Sequence, residues 1–169
     1  MNIFTIISAV FKRISVPILA ATLHELGHTV AIKLLGGRIA SFELSFIGAR
    51  IDTAVWEFSR FERLIVYSAG AFVNIISGAV GMLLGLEDFA LCSFSLAAVN
   101  LLPIKILDGG CIISELLGER LNWLAECLNG AVIFILWVLS VVVLIFTGSI
   151  SLWIFSSCLF VMIYLKKNI

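Results

Sequence analysis

Three stretches of this sequence, Leu64 to Leu86, Gly130 to Phe146 and Ser149 to Leu165, contain no Asp, Glu, Lys or Arg. A helix needs about 20 apolar residues to cross roughly 30 Å of hydrocarbon, so runs of this kind make lipid the main solvent for the chain. Composition agrees: 62% of the 169 residues are hydrophobic and 13% are charged, against roughly a quarter charged in an ordinary soluble domain. A chain of this length holds a handful of spans and short connections, so a single membrane-embedded domain, 1–169, is expected. Formal net charge is zero and the basic residues are scattered between apolar runs, which gives nucleic-acid binding no electrostatic support. Cys92, Cys111, Cys127 and Cys158 match no zinc-ribbon or CxxC spacing and read as ordinary buried thiols.

Met1 to Phe11 is apolar yet too short to cross a bilayer as a helix. The basic pair Lys12 and Arg13 follows it instead of preceding it, which argues against a signal peptide. A first full span is expected from Ile14 to Leu35, with Pro17 near its start, where a missing donor is tolerated. After Gly36-Gly37, Phe42, Leu44 and Phe46 alternate with Ser41, Glu43 and Ser45, a strand period that resumes from Ala49 to Val55 beyond Gly48 and predicts a short hairpin. The span Leu64 to Leu86 carries Gly70, Gly78, Gly81 and Gly85 with Ser68, Ala71 and Asn74, small residues that let membrane helices approach closely. A third apolar stretch, Phe89 to Asn100, ends where Pro103, Lys105, Asp108 and Gly109-Gly110 interrupt any continuous helix. A more polar helix-compatible segment, Ile112 to Asn129, precedes spans at Gly130 to Phe146 and Ser149 to Leu165.

The expected fold is therefore an all-α polytopic membrane protein with about five transmembrane helices, a short N-terminal apolar segment and a small β-hairpin. Threading five spans puts Arg38, Arg50, Arg60 and Arg63, then Lys105 and Arg120, then Lys166 and Lys167 on one side. The positive-inside rule makes that side, hairpin included, cytoplasmic, with Lys12 and Arg13 dissenting.

His24-Glu25-Leu26-Gly27-His28 matches HExxH and uses the chain's only two histidines. Residues four apart share a helix face, so both imidazoles can reach one metal ion while Glu25 is placed to take a proton from its water. Chance would give this arrangement roughly once in two thousand chains of this composition, and polar residues inside a membrane helix are costly and usually functional. A catalytic zinc site takes a third protein ligand. Asp108, in the broken segment Asn100-Leu101-Leu102-Pro103-Ile104-Lys105-Ile106-Leu107-Asp108-Gly109-Gly110, is the best candidate; by spacing alone a helix N-cap explains it equally well.

HELGH inside an apolar helix, followed by Asn-x-x-Pro-x-x-x-x-Asp-Gly, resembles the site-2 protease family of intramembrane metalloproteases, over roughly Ile14 to Leu117. The resemblance implies a zinc cofactor held by His24, His28 and Asp108, with Glu25 as general base and Asn100 as a hydrogen-bond donor to the scissile carbonyl or its oxyanion. It implies a catalytic core at about 14–117 with C-terminal helices at about 130–165, a metal toward the cytoplasmic side of the cell membrane, and cleavage of membrane-tethered or single-span proteins, with membrane-protein regulators as further partners. Gly70 to Asn74 is similar to a second family segment, Gly-Pro-x-x-Asn, with Ala71 in place of the proline, and Lys105 stands where many relatives carry a small or apolar residue. Small size without a PDZ-like insertion looks most like the branch that processes sporulation factors. A catalytically inactive relative that sequesters membrane proteins needs the fold without the metal, and a small transporter would also use broken helices with intramembrane polar groups. Neither requires HExxH spacing.

Overall fold

The computed structural model describes residues 3–37, 39–45, 48–53 and 58–148, together with 150, 154 and 157. Helix α1 spans Ile3–Leu34, strands β1 and β2 span Ile39–Ser45 and Gly48–Thr53, and α2 and α3 span Arg60–Leu83 and Glu87–Asn100. Helix α4 spans Asp108–Leu117, and a 3-10 turn at Glu119–Leu121 leads into α5, Asn122–Thr147. The two strands pair antiparallel, with Phe42 opposite Ile51 and Ser45 opposite Gly48, and the register shifts between Ile39 and Ser41.

The separate N-terminal segment expected from the sequence is instead the first part of α1, which runs unbroken through Lys12, Arg13 and Pro17. Proline removes one donor and crowds the preceding turn, at about 3 kcal/mol. A break in lipid would strand several backbone groups where no water can satisfy them, so continuing the helix is the cheaper solution. Helix α2 starts four residues before the expected apolar run because Ser59 forms a capping box: its backbone N–H donates to Glu62 Oε2 at 2.7 Å and its side chain accepts from the Glu62 N–H. The segment expected from Ile112 to Asn129 is also divided differently. Helix α4 ends at Gly118, whose φ of 65° is open to glycine at no steric cost, and α5 then runs through Gly130, which no neighbouring side chain crowds.

Five spans are not found. Among the described residues two helical stretches are long and apolar enough to cross a membrane, Arg60–Leu83 and Glu119–Thr147. Helix α3, with 14 residues, reaches only about 21 Å at 1.5 Å per residue. Helix α1, with 32 residues, has the length but is not one of the two. The expected span Ser149 to Leu165 lies outside the described residues.

Helix α2 packs against α1, α3 and α4. Its buried positions are Val66, Gly70, Ala71, Asn74, Gly78 and Gly81, mostly small. A Cβ on Gly27 would lie 2.8 Å from the Ala69 carbonyl oxygen, and one on Gly81 would lie 2.8 Å from the Phe89 ring, so these glycines set how closely α1 and α3 approach α2. Large apolar side chains point outward instead, Leu83 and Phe146 among them, while Asn74, Ser93 and Ser140 are wholly buried. Small residues inside and large ones outside is the arrangement expected of helices packed in lipid. A small core of Ala31, Ile32, Phe58 and Val66 closes the α1–α2 end. The described cysteines are free, but Cys92 and Cys111 are only partly buried and Cys127 is exposed, against the expectation of buried thiols. Cys127 lies on α5, which buries only Ile133 and Ser140.

Candidate metal centre

Helix α1 carries both imidazoles on the face that meets α2, and both are buried, His24 at 5% exposure and His28 at 8%. Helix α2 makes room for them by having no side chain at Gly70: a Cβ there would lie 2.7 Å from His24 Nε2 and would also overlap the His28 ring. One turn on either side, α2 supplies a partner for each ring. The Val66 carbonyl oxygen lies 2.8 Å from His28 Nδ1, and the Asn74 side-chain amide nitrogen lies 3.3 Å from His24 Nδ1.

Asp108 reaches the imidazoles from the first residue of α4. The segment before it folds through short turns, with the Ile104 N–H donating to the Leu102 carbonyl and the Leu107 N–H to the Ile104 carbonyl. Gly109 and Gly110 permit this, since a Cβ on either would run into the carbonyls of Leu101, Leu102 or Ile104. Asp108 makes no capping hydrogen bond, because the residue before the helix is Leu107. Its Oδ2 lies 3.0 Å from His24 Nε2 and 3.3 Å from His28 Nε2, and the two Nε2 atoms are 3.2 Å apart. The three residues form a group able to hold a metal ion.

The lone pairs decide what this triangle is for. The Val66 carbonyl can only accept, so neutral His28 carries its proton on Nδ1 and turns the lone pair of Nε2 toward Asp108. Asp108 Oδ2 is sealed from solvent and accepts no hydrogen bond although both rings are close. Electron pairs that face one another in a buried site call for a metal cation or a shared proton between them. Zinc bonds to nitrogen and oxygen at about 2.0–2.2 Å, which sets tetrahedral donors about 3.4 Å apart, and the observed edges of 3.0, 3.2 and 3.3 Å are close to that. The residues present fit a zinc ion with three protein ligands.

Glu25 follows His24 on α1 and is partly buried. Asn100 ends α3, where its amide nitrogen donates to the Leu96 carbonyl at 3.1 Å. Beyond the centre, α4 is held to α2 at its far end. Arg63 forms a two-pronged pair with the Glu115 carboxylate, both N–O distances 2.9 Å, and Arg60 Nε donates to the Glu115 carbonyl at 2.7 Å. Sequence reasoning missed the Arg63–Glu115 pair and the partners that Val66 and Asn74 provide, since no local pattern joins these positions. The small-residue run from Gly70 to Asn74 was the one available signal, and it pointed to packing rather than to ring partners.

No curated protein is significantly similar in sequence to the chain. Residues 81–144 match the model of Peptidase family M50, a stretch that includes Asn100 and Asp108 and lies beyond the HELGH sequence. That match supports the site-2 protease resemblance read from the motifs, and with the two apolar helices it marks a membrane protein similar to M50 peptidases over residues 81–144.

Proposed function

We propose that this chain is an intramembrane zinc metalloendopeptidase that cuts membrane-tethered or single-span proteins. The observation that carries the reading is the triangle of His24, His28 and Asp108 donor atoms. Gly70, which faces the rings, lies ten residues into the apolar helix Arg60–Leu83, about 15 Å from its start. Zinc at this site would supply Lewis acidity, making water easier to deprotonate and a peptide carbonyl easier to attack. Glu25 takes the proton from the attacking water and returns it to the leaving amine. The carboxylate of Asp108 and the Nε2 atoms of His24 and His28 hold the ion, and Val66 fixes the tautomer of His28. The second amide hydrogen of Asn100 is the candidate donor to the oxyanion, the first being used on Leu96. A peptide bond inside a helix is shielded by its own hydrogen bonds, so the substrate must unwind before cleavage, and strand addition to the β1–β2 pair is a means of holding it extended.

The basic residues favour a cytoplasmic location for the end of the molecule where Arg60 and Arg63 meet α4, with Arg120 just beyond its C-terminus. A sequestering scaffold needs no donor triangle, and a transporter leaves the HExxH spacing of His24, Glu25 and His28 unexplained. Co-expression with candidate single-span substrates tests the reading: cleavage that disappears in Glu25→Gln is the expected result, and cleavage that persists in that variant would contradict it.

A further inference from the structure

Asn74 is 0% exposed, and its side-chain Oδ1 has no hydrogen-bond partner. Its amide nitrogen Nδ2 lies 3.3 Å from His24 Nδ1, across the ring from the nitrogen that faces Asp108. A primary amide presents either its oxygen or its NH2 group to a neighbour by a half-turn about one bond, with almost no change in shape. The two orientations have opposite consequences for His24. An NH2 group facing Nδ1 donates to it and forces the ring proton onto Nε2, the atom that points at Asp108. The amide oxygen facing Nδ1 accepts a proton there and frees the Nε2 lone pair.

We propose that Asn74 is a positioning residue that makes His24 a metal ligand, its side-chain oxygen accepting from His24 Nδ1–H. The inference rests on the metal reading above and adds the requirement that reading leaves open. A neutral imidazole that ligates through Nε2 carries its proton on Nδ1, and an NH2 group at 3.3 Å would set two donors against each other, so only the oxygen can receive that proton. The other ring shows the same arrangement: Val66, two turns earlier on α2, offers His28 Nδ1 a group that can only accept. A single helix thus supplies both outer partners, a backbone carbonyl for one ring and a side-chain amide for the other. Complete burial of Asn74 leaves no water to substitute for its oxygen.

The test is a zinc titration of chelator-stripped, full-length protein in detergent, for the unsubstituted chain, Asn74→Leu and Asn74→Asp. Leucine keeps the branching, removes the acceptor and adds bulk, and zinc is expected to bind roughly 10- to 100-fold more weakly. Aspartate restores an acceptor in the same place, and its affinity is expected to return to within a few-fold of the unsubstituted chain. Unaltered affinity in Asn74→Leu overturns the proposal, as does an Asn74→Asp variant no better than leucine; overpacking by leucine would weaken binding in the same order, and the next measurement separates the two. A measurement on the unsubstituted, zinc-loaded chain needs no variant to fold: a downfield His24 Nδ1–H proton resonance in contact with the Asn74 side chain is expected, and its absence overturns the proposal. Failure of the unsubstituted chain to bind zinc overturns the metal reading, and this inference with it.

Discussion

Gly70 controls the centre by what it lacks, since any Cβ there would push into both imidazoles. Gly70→Ala is accordingly expected to weaken zinc binding at least tenfold, by displacing rings whose fit tolerates little overpacking; titration of the stripped protein checks this, and unchanged affinity would mean that the α1–α2 spacing adapts. Glu25→Gln separates chemistry from structure. Glutamine keeps the shape but cannot take the proton, so peptide cleavage is expected to fall on the order of a thousandfold or more with zinc content unchanged, whereas His24→Ala is expected to lose the metal as well. Reconstituted cleavage and metal content, measured together, distinguish these outcomes. At this scale the sequence was informative where geometry is local. Four-residue spacing on a helix brings His24 and His28 to one point regardless of the rest of the fold. Spacing alone leaves Asp108 open between ligand and cap, and only the family resemblance selects the ligand, because its approach depends on the turns from Leu101 to Leu107 and on glycines whose role only the folded backbone reveals.

Helix α4 brings the third donor, and its orientation is fixed at both ends. Near Asp108 the Lys105 N–H donates to Asn129 Oδ1 of α5 at 2.9 Å, and at the other end Arg63 grips Glu115. Glu115→Gln breaks the two-pronged pair without changing shape, and it is expected to lower thermal stability and to loosen zinc binding through the tilt of α4; Arg63→Lys should do the same, because an ammonium cannot reproduce the planar fork. Thermal unfolding and zinc titration of the two variants check this, and full retention of both properties would show that Lys105, Asn129 and the turns hold α4 unaided. Element boundaries were less legible than motifs. Ser59 and Glu62 lengthen α2 through a cap that lies outside the apolar run. Pro17 and Gly130 look like breaks but are absorbed, because lipid penalises an open backbone more than one missing hydrogen bond.

At the scale of the whole molecule, the apolar runs point to lipid as solvent and predict more spans than the two found among the described residues. Hydropathy alone does not distinguish a helix that crosses from one like α3, which is short and packs its Ala90, Ser93 and Ala97 inside. Introduced cysteines near Arg60 and Arg120, in a chain stripped of its native thiols, should share one pattern of labelling from the cytoplasmic side, since Arg60 lies against Gly118, two residues before Arg120; a split between them would overturn the orientation. In the proposed function, donors from α1 and α4, packed against an apolar α2, hold one zinc ion. Metal analysis of purified protein never exposed to chelator, beside Asp108→Ala, tests it most directly. One equivalent of zinc per chain, lost in the variant, is expected; well under one equivalent in the unsubstituted protein, or full retention by Asp108→Ala, would rule out the three-ligand site.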